Sequence, residues 1–140
     1  MNPKSAAQVS NAILRAALGV TMVMIGVSAY RDLAPFIANV TDGLGMASNV
    51  GYVWAFILPA LLIFGGGMLA IGRYSYVAAW SGGLALASVP IGVVLKTIMT
   101  GLPLPDMLTV SYPSIVWLVA FTFACAMGPE EEAPATEEEE

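Results

Sequence analysis

The stretch GYVWAFILPALLIFGGGMLAI, residues Gly51–Ile71, holds no charged side chain, and only Tyr52 and Trp54 bring polar side-chain nitrogen or oxygen into it. A helix that crosses a hydrocarbon core about 30 Å thick needs roughly 20 such residues. With no water to serve its peptide groups, a crossing segment must satisfy them internally, which selects helix. Working outward, Asn11–Tyr30 and Val77–Met99 reach the same length, and Ser111–Met127 reaches it at the short end. The expected fold is therefore all-α: an integral membrane four-helix bundle over residues 1–128, followed by an acidic disordered tail over residues 129–140.

Composition agrees. The chain is 58% hydrophobic and 11% charged, against about 25% charged in soluble domains. The acids concentrate at one end, in Glu130–Glu132 and Glu137–Glu140. Without them the body is nearly neutral, so the net charge of -5 belongs to an appendage. A tail of this kind has no apolar surface to bury. Nor does the body offer the basic surface that nucleic acid requires, and none is expected as a partner.

Between the first two spans, Leu33, Phe36, Ile37, Val40 and Leu44 fall on one helical face. Asp32 is placed to cap that segment and Asp42-Gly43 to end it. The reading is a short amphipathic helix in the membrane interface, with a lid folded onto the helices as the variant. Gly72–Tyr76 is read as a tight hairpin. Thr100–Val110, with Pro103 and Pro105, is read as an extended connection that leaves Pro113 in the first turn of the last helix. Lys4 and Arg15 precede an apolar run ending Val27-Ser28-Ala29, which would pass for a signal-peptide cleavage site. The expectation is that this run is retained as the first span.

Small residues recur along the spans. Ala12, Ala16, Gly19, Val23 and Gly26 form a stripe on the first, Gly65-Gly66-Gly67 lies in the second, and Gly82, Gly83, Ala87 and Ser88 lie in the third. Such seams let backbones approach where lipid removes the hydrophobic drive for helix association. Gly19, Gly26, Gly66 and Gly83 are the helix-packing candidates, expected to hold the bundle together internally. Pro59 and Pro90 lie inside spans and remove backbone donors there.

Charge within the spans is the default place to look for function. Arg15 sits one turn into the first helix and Lys96 one turn from the end of the third, both able to snorkel toward headgroups. With Arg73 in the hairpin, they are the candidates for lipid or partner contact. No Asp or Glu lies deep in a span, and histidine is absent. The chain thus lacks a base for hydrolytic or nucleophilic catalysis and a carboxylate for proton exchange. No catalytic residue and no metal site is assigned. Cys125 is the single cysteine, read as a small hydrophobe. Haem, an iron–sulfur cluster or structural zinc would need histidine or several cysteines, so no such cofactor is held by this chain alone. Lys4, Arg15 and Arg73 outnumber Arg31 and Lys96 on the other side, which places the termini in the cytoplasm of a multi-pass inner-membrane protein.

The order Ile13-Leu14-Arg15-Ala16-Ala17-Leu18-Gly19, then Gly26, then Gly65-Gly66-Gly67-Met68-Leu69-Ala70-Ile71-Gly72-Arg73 and Ala78-Ala79 resembles the DoxX-like family of small four-helix membrane proteins. The similarity covers about residues 11–98. Arg15, Gly19, Gly26, Gly66, Gly72 and Arg73 would be the family-like positions. Relatives often carry an acidic residue near Pro59–Ile63 and a lysine after the first-helix glycine, which this chain does not. The resemblance implies a subunit of a redox-associated membrane complex. Function is accordingly expected to be that of a non-catalytic accessory or anchor subunit, with membrane lipids and other subunits as partners. If the chain takes part in enzymatic chemistry, it is as one subunit of an oxidoreductase complex. The alternatives are a small-solute transporter or channel along Pro59, Pro90 and Lys96, and an electron-transfer subunit with quinone bound between helices.

Overall fold

The computed structural model describes residues 3–72, 75–101 and 104–127, and all regular structure among them is helical. The helices are α1 (Pro3–Arg31), α2 (Leu33–Thr41), α3 (Ser48–Ile71), α4 (Ser75–Thr100) and α5 (Leu104–Ala126), with one 3-10 turn at Gly45–Ala47. Three segments are long and apolar enough to cross a membrane: Ala6–Arg31, Gly45–Ile71 and Tyr76–Thr100. Ser111–Ala126 is apolar but shorter. Arg73 and the acidic tail lie outside the described residues.

α3 is the central helix, packed along α1 on one side and α4 on the other, while α5 lies mainly against α4. The α1–α3 contact is antiparallel. Gly19 meets the Gly66 carbonyl, and a Cβ built on Gly26 would lie 2.7 Å from the Pro59 carbonyl oxygen. On the other flank a Cβ on Gly65 would lie 2.7 Å from Gly82 Cα. Adjacent residues on an α-helix point about 100° apart, so Gly65 and Gly66 serve two different neighbours. Gly67, the third of the run, has open space beside it. Gly83 is not in a close seam either, since a Cβ there would meet only Phe121, at an ordinary 3.6 Å.

Gly82 has a second role. A Cβ on it would meet Phe121 Cζ at 2.6 Å and Met22 Cε at 3.0 Å. Phe121 of α5 and Met22 of α1 are among the largest fully buried side chains, so the four long helices converge on this point. Leu18, Leu58, Leu62, Leu69, Ala78, Ala85, Leu86 and Ala124 complete the core. Outward, α1, α3, α4 and α5 all present exposed large apolar side chains, among them Ile13, Met24, Phe64, Trp80, Ile91, Val116 and Phe123.

Two local expectations are corrected. α5 begins at Leu104, so Pro105 occupies its first turn, Pro113 lies inside the helix, and residues 104–110 are helical where an extended connection was expected. The prolines were read as breakers, but a first-turn proline gives up only a donor that has no helical partner. The interior proline is of the kind that membrane helices tolerate. Asp32 occupies the cap position of α2 without a side-chain capping bond. α1 instead runs almost directly into α2, through Asp32 N–H to Ser28 O and Phe36 N–H to Asp32 O.

Gly66→Ala and Gly82→Ala should each lower stability by about 1–3 kcal/mol, read by SDS titration of the detergent-solubilised protein. Gly92→Ala, where nothing lies within 4 Å, should leave it unchanged or slightly raised. A second change, Phe121→Leu, should recover part of the loss in Gly82→Ala and none of that in Gly66→Ala.

Candidate functional site

The polar side chains of the helices fall into three places. At the end where α1 begins and α3 and α5 finish, Arg15 is only 5% exposed. Its guanidinium lies against the last turn of α3, with a Cβ on Gly72 placed 3.8 Å from Nη2. That turn closes with Gly72 in the left-handed region, at φ 76°, its N–H bonded back to the Met68 and Leu69 carbonyls. The carbonyl end of a helix carries partial negative charge and favours a cation. Snorkelling was the expectation for Arg15; instead the chain itself encloses the guanidinium. One turn earlier on the same face, Asn11 Nδ2 donates to the Met127 carbonyl at 2.6 Å, joining the beginning of α1 to the end of α5. Gln8, Asn11, Arg15, Leu69, Gly72 and Met127 enclose part of a cavity of about 560 Å³.

At the opposite end Lys96 plays the corresponding role for α2. Its Nζ donates to the Asn39 carbonyl at 3.3 Å and pairs with Asp42 Oδ2 at 3.4 Å. Asp42 is 80% exposed, so this is a surface pair laid across the carbonyl end of α2. Gly43, at φ 78°, turns the chain away there, and a Cβ on it would strike Thr100 Cγ2 at 2.6 Å. The apolar face of α2 is half-buried and meets α3, with Leu44 buried. Ala34, Pro35, Ala38 and Asn39 face outward.

Between the ends, Trp54 Nε1 donates to Ser88 Oγ at 3.1 Å, tying α3 to α4, and the Ser88 hydroxyl donates in turn to the Ala85 carbonyl of its own helix at 2.7 Å. Tyr30 donates to the Phe56 carbonyl at 2.7 Å, tying the end of α1 to α3. Pro59 is fully buried in the α1–α3 contact. Cys125 is a half-buried free thiol packed against the core. Among the described residues, no three His, Cys, Asp or Glu side chains gather in a way that could hold a metal ion.

Of the candidate charges, Arg15 and Lys96 therefore sit at opposite ends of the helices, and Arg73 is outside the described residues. Sequence reasoning missed Asn11, Gln8, Asp42 and Met127. Asn11 carried a signal, being four residues before Arg15 and hence on its face. Met127 carried none, since only folding brings its carbonyl to α1. No protein-family model matches the chain, and neither a curated protein nor a solved structure matches it.

The two cations should differ in weight. Arg15→Leu is expected to destabilise the protein by about 2 kcal/mol, the upper range for a partly buried cation at a helix carbonyl end. Lys96→Met is expected to cost less than about 1 kcal/mol, as for exposed ion pairs. SDS titration of both variants checks this ordering.

Proposed function

We propose that the chain is a non-catalytic accessory or anchor subunit of a larger membrane complex. On this reading Ser111–Ala126 is a fourth crossing, closing a four-helix transmembrane bundle, and α2 lies along the membrane interface. The observation that carries the reading is where the polar side chains of the spans go. Asn11, Tyr30, Trp54 and Lys96 each donate a hydrogen bond that ties one helix to another or to its end, and Arg15 lies on the end of α3. They are spread along the length of the helices and do not converge on one reacting point, as a catalytic constellation would. The outer faces are large and apolar, and lipid or the helices of other subunits are the surfaces able to cover them.

The resemblance to the DoxX-like family adds a direction: a redox-associated complex of the inner membrane, with the termini in the cytoplasm. In such a complex the chemistry would belong to the partners. This chain would supply a rigid apolar scaffold with its two polar ends at the headgroup levels.

Extraction from the native membrane in a mild detergent, followed by native mass spectrometry, tests this directly. Other proteins should accompany the chain at fixed stoichiometry and survive size-exclusion chromatography. A monodisperse monomer accompanied by lipid alone would count decisively against an accessory role.

A further inference from the structure

Charge is divided unevenly between the two ends of the molecule. Where α1 finishes and α3 and α5 begin, Arg31 and Lys96 are matched by Asp32, Asp42 and Asp106. At the Arg15 end, Lys4 and Arg15 stand in α1 and Arg73 follows Gly72 at the close of α3. No acid balances them within the helices, because the acids before residue 130 all belong to the opposite end. The first carboxylates available on this side are Glu130–Glu132, which follow Met127 closely in the chain.

The geometry brings the root of the tail to the same place. Asn11 donates to the Met127 carbonyl, which fixes the end of α5 level with Asn11. α1 continues outward past that level from Ser10 back to Pro3, about 12 Å at about 1.5 Å per residue. Within this extension Ala6, Ala7, Gln8, Val9 and Ser10 are all exposed. Gln8 and Met127 both line the cavity of about 560 Å³, and Lys4 lies one turn before Gln8 on the same face by register. Arg15, already engaged by the chain, forms part of the wall as a fixed charge that no carboxylate has to touch. Past Met127 the pair Gly128-Pro129 disfavours further helix. Five extended residues span at most about 17 Å. Glu130–Glu132 can therefore reach the cavity mouth and Lys4, but not Arg31 or Lys96, a helix length of about 35 Å away.

We propose that the chain's own acidic tail docks on this end, with Glu130–Glu132 laid over the cavity mouth against the exposed first turns of α1. The attraction is the unbalanced charge of Lys4, Arg15 and Arg73. Tethering at Met127 holds the carboxylates at an effective concentration in the millimolar range, so weak attractions between exposed charges suffice. The cavity is covered at low ionic strength and opens as salt screens the charges. No partner subunit takes part, so the inference stands apart from the accessory role.

The test reads steric access to position 8 in the full chain, carrying Cys125→Ser and Gln8→Cys and held in a non-ionic detergent. The labelling rate with a bulky polyethylene-glycol maleimide is divided by the rate with N-ethylmaleimide. That ratio cancels any effect of the tail's charge on the thiol itself. Replacing Glu130, Glu131 and Glu132 together by glutamine should raise the ratio severalfold. Raising salt from about 10 mM to about 1 M, which shortens the screening length from about 30 Å to about 3 Å, should do the same. Lys4→Gln should raise it part of the way. Asn39→Cys, at the opposite end, should keep one ratio throughout. A ratio at position 8 that ignores the triple substitution overturns the proposal. An equal rise at Asn39→Cys overturns it too, since the change would not be local. Protection that survives the triple substitution and disappears when copurified lipid is washed away would assign the cover to lipid headgroups and overturn the tail.

Discussion

Backbone-to-backbone contact at two neighbouring glycines of α3 is the constraint on which the rest of the molecule depends. In lipid, apolar side chains gain nothing by leaving the solvent, so helices associate through close packing and short polar contacts. Gly66 gives α1 its place and Gly65 gives α4 its place, because residues next to one another on a helix face different directions. The gap left at Gly82 admits the ring of Phe121, which brings α5 in beside α4 and toward Met22 of α1. One Gly-Gly step thus orders the four long helices. Substituting either glycine would push whole helices apart, whereas a change on the outer faces meets only open space.

Once the helices are set, their ends decide where polar groups can go. Carbonyl ends of helices attract cations, and the two charges carried within the apolar stretches each find one: Arg15 at α3 and Lys96 at α2. These ends lie at opposite limits of the structure. The apolar middle holds a tryptophan–serine bond and tightly packed core residues.

Much of the fold was legible in the sequence, because span length is a property of the run itself. Gly51–Ile71 needs no neighbour to be read, and α3 covers it with one further turn. The glycine stripe was legible as a seam, but which glycine touches which helix was not. Gly82 makes the contact while Gly83 beside it does not, since helix phase is fixed by the partner. Pro113 was misplaced because Pro103 and Pro105 read as a break, whereas Pro105 fits the first turn of a longer α5. At the Arg15 end, the arginine and its position one turn into the span were visible at once. Its surroundings were not, because the hydrogen bond from Asn11 to Met127 joins residues 116 apart in the chain. The resemblance to a family rested on glycines in apolar sequence, a pattern that packing alone produces.

The claim that lipid is the solvent of these helices is most directly tested by sidedness. In a Cys125→Ser background, Gln8→Cys, Asn39→Cys and Ala126→Cys would each be exposed to a membrane-impermeant maleimide in sealed vesicles of known orientation. The account predicts that Gln8→Cys and Ala126→Cys react from one side and Asn39→Cys only from the other. Labelling of all three from the same side would contradict it.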